Sequence, residues 1–234
     1  MFRYLFLGKK FMAIFKMNAN INPEISRNKL RLSEGQAEEA DFPSILEQVQ
    51  ELAEPRAVWE RCRIEEIGDG FIVISGIHFQ SNVLASELTK SDTIFPFVMT
   101  IGDAVEKQAR RTEDALKQYC YEYLGDYVLL QASDQLKHHL EMLSGGAHLS
   151  WYSPGSVDDF KLERQRELFR LLGDVREKIG VELEENLVMY PRKSISGFYF
   201  RSEEPFYTCQ ICGREKCLGR RAAYDPAIAE KYGV

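Results

Sequence analysis

The stretch Leu187-Val-Met-Tyr-Pro-Arg-Lys-Ser-Ile-Ser-Gly-Phe-Tyr-Phe200 decides how the rest of the chain is read. Leu187–Tyr190 and Ser194–Phe200 both have strand composition. Pro191 separates them, because proline has no N–H to give to a ladder. Alternation along the second run puts Ile195, Gly197 and Tyr199 on one face and Ser194, Ser196, Phe198 and Phe200 on the other. This reads as a core strand in which Gly197 admits close approach by a ligand or another backbone.

Outward from that strand, Phe160–Leu172 is expected to be a helix that buries Leu168, Phe169, Leu171 and Leu172. The polar loop His148–Asp159 leads into it. Within the loop, Tyr152-Ser153-Pro154-Gly155-Ser156 forces a tight turn, and the N–H groups of the coming helix make an anion-friendly corner. Asp158 and Asp159 suit a helix N-terminus by charge. Further upstream, Glu113–Leu143 is the longest helical stretch, ended by Gly145-Gly146. Leu116, Tyr119, Cys120, Tyr123, Leu124, Tyr127, Val128 and Gln131 lie along one side of it. His138-His139 falls on its polar side as a solvated pair.

Shorter helices are expected near Asn22–Arg31, over Phe42–Ala53 and at Pro226–Lys231, with Leu84–Leu88 a helix or turn. Ala57–Ile67 and Phe71–Ile77 are strand-like and joined by Gly68-Asp69-Gly70, a hairpin signal. Thr93–Ile101 is an apolar strand, after which Asp103 is placed to cap a helix over Ala104–Arg111. Strands and helices come in groups rather than in strict alternation, which predicts an α+β fold with an antiparallel or mixed sheet.

The 234 residues are 44% hydrophobic and 28% charged, which excludes disorder, collagen-like repeats and a polytopic membrane protein. A net charge of −6 argues against nucleic-acid binding driven by phosphate neutralisation. No nucleic-acid and no membrane partner is expected, and the chain is expected to be cytoplasmic. No phosphate loop, dinucleotide fingerprint, zincin or hydrolase motif occurs in it. Met1–Lys16 is apolar, aromatic and basic, but Lys9 and Lys10 break the apolar run that a secretory signal needs. It is read as a first helix or strand, or as sequence upstream of a start at Met12 or Met17. Three parts are expected: an N-terminal helical extension (1–54), an α+β core (55–204) and a cysteine-bearing tail packed on that core (205–234).

The five cysteines are an odd number, and three of them fall in Cys209-Gln-Ile-Cys212-Gly-Arg-Glu-Lys-Cys217. A C-x2-C turn can bring two thiolates onto one ion, and Gly213 would let the third fold back. Thiolates select zinc or an iron–sulfur cluster. Cys209, Cys212 and Cys217 are therefore candidate metal ligands, with Cys62, Cys120, a histidine such as His148 or an exogenous group as a source of the fourth. A cysteine-bearing loop with no metal is the alternative.

Together, the order Ser-Pro-Gly, a helix ending Glu167-Leu-Phe-Arg-Leu-Leu172, Ile179-Gly-Val and Leu187–Gly197 resembles the activation domain of cobalamin-dependent methionine synthase. The resemblance is to stand-alone versions that end in a cysteine motif, and it spans roughly His148–Tyr224. It implies a C-shaped α+β domain whose twisted antiparallel sheet is flanked by helices. It also implies S-adenosylmethionine in a shallow groove, bound at Ser153, Pro154, Gly155, Ser156 and Tyr207.

The implied partner is a cobalamin-binding methionine synthase or another corrinoid protein, with an electron donor such as flavodoxin or ferredoxin. The implied role is that of an accessory that supports reductive methylation of cob(II)alamin, not of a complete enzyme. A corrinoid-protein activator or electron-transfer partner with an iron–sulfur- or zinc-binding tail and a degraded S-adenosylmethionine site is the second expectation. The chain departs from the family pattern at three places. Trp151 stands where an arginine is expected and Ser156 where a tyrosine is expected, and a helical glutamate falls near Leu130 or Gln131.

Overall fold

The computed structural model describes residues 12–202, 204–217 and 220–234. The strands are β1 (Met12–Lys16), β2 (Arg56–Glu60), β3 (Cys62–Arg63), β4 (Glu66–Gly68), β5 (Phe71–Ile74) and β6 (Ile77–Gln80). They continue with β7 (Thr93–Thr100), β8 (Leu149–Tyr152), β9 (Glu182–Leu183), β10 (Met189–Tyr190) and β11 (Ser194–Arg201). The helices are α1 (Pro23–Leu30), α2 (Glu34–Glu39), α3 (Phe42–Leu52), α4 (Asn82–Glu87), α5 (Ala104–Arg111) and α6 (Ala115–Leu143). Three shorter ones follow: α7 (Gln165–Leu172), α8 (Val175–Ile179) and α9 (Pro226–Tyr232).

β11 lies between β7 and β8 in a six-stranded sheet ordered β1-β2-β7-β11-β8, with β3 also paired to β7. Every pairing in it is antiparallel. The alternation expected along β11 is realised, and each face meets its own core. Ile195 and Tyr199 face one layer with Phe95, Phe97 and Met99 of β7, packed under α3, α5 and α6. Phe198 and Phe200 face the other with Ile94 and Val98, packed under α4, α7, α8 and the β4-β5-β6 sheet. Burial on both faces explains why these strands carry large apolar side chains at successive positions. The α+β fold with antiparallel sheets flanked by helices is thus the observed one.

Local signals set most boundaries. Asp114 caps α6 by accepting the Lys117 N–H at 2.9 Å, and Gly145 and Gly146 past its end both have positive φ. The hairpin joining β4 to β5 turns at Gly70, φ +75°. Three expectations shift. Asp103 precedes α5, but its carboxylate pairs with Lys107 at 2.6 Å and makes no capping bond. The helix expected over Phe160–Leu172 is α-helical only from Gln165, after a single 3-10 turn. Of Leu187–Tyr190, only Met189 and Tyr190 pair as strand, against β9. Met12–Lys16 is a strand at the sheet edge, and residues 1–11 of the apolar N-terminal stretch lie outside the described residues.

His139 also differs from its expectation as half of a solvated pair. Its ring stacks on Phe15 at 4.3 Å between centroids and meets Trp59 edge-on at 5.8 Å. β1 thus covers a helix face that looked polar in isolation. Burial holds the His139 imidazole below its ordinary value. The folded state favours the neutral ring, so the unfolded chain binds more protons just below the ordinary histidine pKa of about 6.5. This contribution to stability is complete above that pH and is lost as the pH falls through the window. His139→Phe keeps the stacking and removes the titration. Its thermal midpoint is expected to fall less than the parent's between about pH 7.5 and pH 5; equal falls would contradict the assignment.

Candidate functional site

β8 carries the chain from the sheet into the Ser-Pro-Gly turn. Its Trp151 and Tyr152 pair with Tyr199 and Phe198 of β11. The next β11 residue is Gly197, where a Cβ would lie 2.6 Å from the Tyr152 carbonyl oxygen and 2.7 Å from Ser153 Oγ. The close approach that Gly197 permits is therefore by backbone.

Immediately after, the Ser156 N–H donates to the Ser153 carbonyl at 3.2 Å, with Pro154 buried at the second position and Gly155 at φ +79°. Positive φ at the third residue after proline is the type II pattern, which favours glycine there. A Cβ on Gly155 would also meet Leu162 Cδ1 at 2.8 Å. Asp159 then turns back. Its carboxylate accepts from Ser81 Oγ at 2.6 Å, the Asn82 N–H at 2.7 Å and Tyr152 Oη at 3.1 Å. It serves the N-terminus of α4, remote in sequence, and not that of the helix following it. Burial first, and the Asp159 carboxylate second, push the Tyr152 phenol far above its ordinary value.

On the other side of Trp151 lies a cleft of about 140 Å³ whose walls include Asp134 and Lys137 of α6, Trp151, Tyr199, Tyr207 and Arg221. Its floor is a stacked aromatic row: Trp151 and Tyr199 lie 6.1 Å apart between ring centroids, and Tyr199 and Phe97 lie 4.5 Å apart. Tyr199 Oη donates to the Ser133 carbonyl at 2.9 Å, and burial keeps this phenol protonated far above its usual range. Tyr207 stands exposed at the rim. The Arg221 guanidinium lies over the Trp151 ring, 5.8 Å from its centroid.

The expected binding residues are divided between two clefts. Tyr207 belongs to the Trp151 cleft, whereas Ser156 lines a second cleft of about 560 Å³ with Cys212, Lys161 and the C-terminal Val234. Ser153, Pro154 and Gly155 form the turn between them. Three groups at the Trp151 cleft, namely Asp134, Lys137 and Arg221, were not among the sequence candidates. Asp134 lies one helical turn beyond Leu130, where a helical carboxylate was sought, so its signal was present but displaced. Arg221 had a local signal only as one of several basic residues around the cysteines.

Cys209, Cys212 and Cys217 all lie in the tail, Cys209 and Cys212 partly buried and Cys217 exposed. Among the described residues no group of three or more His, Cys, Asp or Glu side chains is arranged to hold an ion. A guanidinium organises the segment's backbone. Arg220 donates to the carbonyls of Cys209 at 2.9 Å, Cys212 at 3.1 Å and Ala222 at 3.2 Å, and to that of Arg214. Five donors in a rigid fork suit this cross-linking of one loop. Cys209 Sγ accepts the Arg221 N–H at 3.3 Å, which ties the cysteine turn to the cleft. His148 sits 3.5 Å from Glu141, and Cys62 and Cys120 are buried in opposite layers of the core. Burial raises the Cys120 thiol above its ordinary value.

With this geometry in place, comparison with known proteins is informative. Residues 152–219 match the activation-domain family of vitamin B12 dependent methionine synthase. The resemblance read from the Ser-Pro-Gly and Ser-Ile-Ser-Gly elements is thereby shown for this segment, which is less than a third of the chain. A crystal structure of the MetH reactivation domain bound to AdoHcy has the same fold. Its TM-score is 0.63 at 16% identity, over 86% of this chain and 81% of that one. No curated protein matches the chain by sequence. Among the described residues no helix is long and apolar enough to cross a membrane.

Two outcomes test the site's construction. Gly197→Ala is expected to cost about 1–3 kcal/mol in denaturant unfolding, because the backbone of β8 must move to admit the methyl group. In the folded chain a maleimide is expected to label Cys209, Cys212 and Cys217 equally with and without a chelator. Cys62 and Cys120 should react only after unfolding. Chelator-dependent labelling of the tail would contradict the guanidinium-held loop.

Proposed function

We propose that this chain is an S-adenosylmethionine-binding accessory protein that reactivates a separate cobalamin-dependent methionine synthase. The observation that carries this reading is the Trp151 cleft, formed where the family-matched segment leaves the sheet and floored by aromatic faces with charges of both signs at its edges. The related reactivation-domain structure was solved with AdoHcy bound, which supports a ligand of the same nucleoside class here.

In the overall reaction, cob(II)alamin on the partner gains one electron from a flavodoxin- or ferredoxin-type donor and a methyl group from S-adenosylmethionine. Methylcobalamin and S-adenosylhomocysteine result. This chain's residues bind and orient. Trp151 and Tyr207 offer flat apolar surface for the adenine, and Asp134 offers a counter-charge to the cationic part of the ligand.

The size of the cleft bears on the role. Pockets that enclose a drug-sized ligand have volumes of about 300–1,000 Å³, and this one measures about 140 Å³. A bound S-adenosylmethionine would be gripped over part of its length and remain open elsewhere. Openness is what delivery of a methyl group to a cobalt on another protein requires. The contribution to rate is proximity. The Ser153–Ser156 turn sets the edge of this surface by fixing where β8 ends.

Anaerobic titration calorimetry with S-adenosylmethionine tests the reading. Micromolar binding is expected, weakened about tenfold by Tyr207→Ala through loss of the aromatic contact. No binding at millimolar ligand would refute the role.

A further inference from the structure

The cysteine turn of the tail lies between the two clefts and touches both. Cys209 Sγ accepts the Arg221 N–H at 3.3 Å, and the Arg221 guanidinium lies over the Trp151 ring. Three residues on, Cys212 lines the second cleft beside Ser156, Lys161 and Val234. At about 560 Å³ that cleft is within the range that encloses a small organic ligand, about 300–1,000 Å³. Its approach is open at Gly213, which is exposed and where a Cβ would meet nothing within 4 Å.

The backbone between the two thiols is closed into a turn. The Cys212 N–H donates to the Cys209 carbonyl at 3.4 Å, and the Ile211 N–H donates to the Thr208 carbonyl at 3.2 Å. A bond from one residue to the third beyond it holds the two Cα atoms within about 7 Å. A disulfide spans Cα separations of about 4.4–6.8 Å, so the turn sets this pair at a distance that a disulfide bridges. Arg220 donates to the carbonyls of both Cys209 and Cys212, which fixes the turn before any bond forms. Both thiols are only partly buried, unlike those of Cys62 and Cys120, and thiol exchange depends on such access.

We infer that Cys212 and Cys209 are the attacking and resolving thiols for a low-molecular-weight disulfide of the glutathione class. The Cys212 thiolate attacks one sulfur of the small disulfide in the second cleft. A mixed disulfide on Cys212 forms, the S–S bond of the small disulfide breaks, and the first small thiol leaves with the proton that Cys212 gave up. The Cys209 thiolate then attacks the Cys212 sulfur, and the second small thiol leaves with the proton of Cys209. The tail is oxidised to a Cys209–Cys212 disulfide and the small disulfide is reduced to two thiols. Bonding to Cys212 draws Cys209 Sγ off the Arg221 N–H, so the redox state of the tail sets how firmly Arg221 is held over Trp151. The thiol pair rests on the tail alone. Its effect on ligand affinity rests on the reading of the Trp151 cleft as the S-adenosylmethionine site.

The test treats the full chain with oxidised glutathione and maps its cysteines by mass spectrometry. A disulfide joining Cys209 to Cys212 is expected, with Cys217 free and the bond lost on reduction with dithiothreitol. Cys209→Ser should stop at the glutathione adduct on Cys212, Cys212→Ser should lose the internal bond, and Cys217→Ser should oxidise like the parent. Oxidation is expected to shift the tryptophan emission of the parent and not that of Trp151→Phe. A bond to Cys217, an adduct that the parent never resolves, oxidation only after a chelator, or three unreacted tail thiols would each overturn the thiol pair. A Cys209–Cys212 bond with unchanged emission would overturn its coupling to the Trp151 cleft. A chain that forms the bond but binds no S-adenosylmethionine refutes the proposed function and upholds the thiol pair.

Discussion

The backbone contact between Gly197 and the Tyr152–Ser153 peptide is the constraint on which the rest of the structure depends. β11 is buried on both faces, and a side chain at position 197 would push β8 off its edge. With hydrogen there, β8 pairs for four residues and stops, and the chain turns sharply at Pro154-Gly155. That single end-point places Trp151 toward one cleft and Ser156 toward another. It also sends Asp159 back to cap α4, so the turn, the second sheet and the tail helix are positioned from one place.

Electrostatics secure the opposite end of the same strand. Lys193, nearly buried, meets the carboxylates of Asp126 at 2.7 Å and Glu122 at 2.8 Å, while Arg192 meets the buried Glu106 at 2.6 Å. Buried charges persist only when they are paired and hydrogen-bonded. Here the pairing ties the start of β11 to α5 and α6. The Tyr199 phenol ties its later part to α6 as well, through the Ser133 carbonyl. Held at both points, α6 brings Asp134 to the cleft opposite the tail.

The tail shows how one motif can be built by different chemistry. Three cysteines at C-x2-C-x4-C spacing are compatible with a metal, and the surrounding basic residues fit that reading by charge. The spacing does not specify what the backbone carbonyls do, and they converge on Arg220. Cys209 Sγ accepts the Arg221 N–H, and Cys212 lines the second cleft.

Short-range order was legible in the sequence because it depends on neighbours along the chain. The alternation of β11, the glycine stop of α6, the hairpin at Gly70 and the Pro154-Gly155 turn follow from local stereochemistry, and the Ser-Ile-Ser-Gly element carried the family likeness. His139, Asp159, Asp134 and Arg221 could not be placed in this way. The His139 ring is covered by a strand more than a hundred residues earlier, Asp159 caps a helix more than seventy residues upstream, and Arg221 finds its tryptophan seventy residues back. The sequence by itself determined the central strands β7 and β11, the turn and the family segment. Only the tertiary structure decided which charges face one ligand cleft, because the separation of two groups remote in the chain is set by the packing of the layers between them and not by their spacing along it.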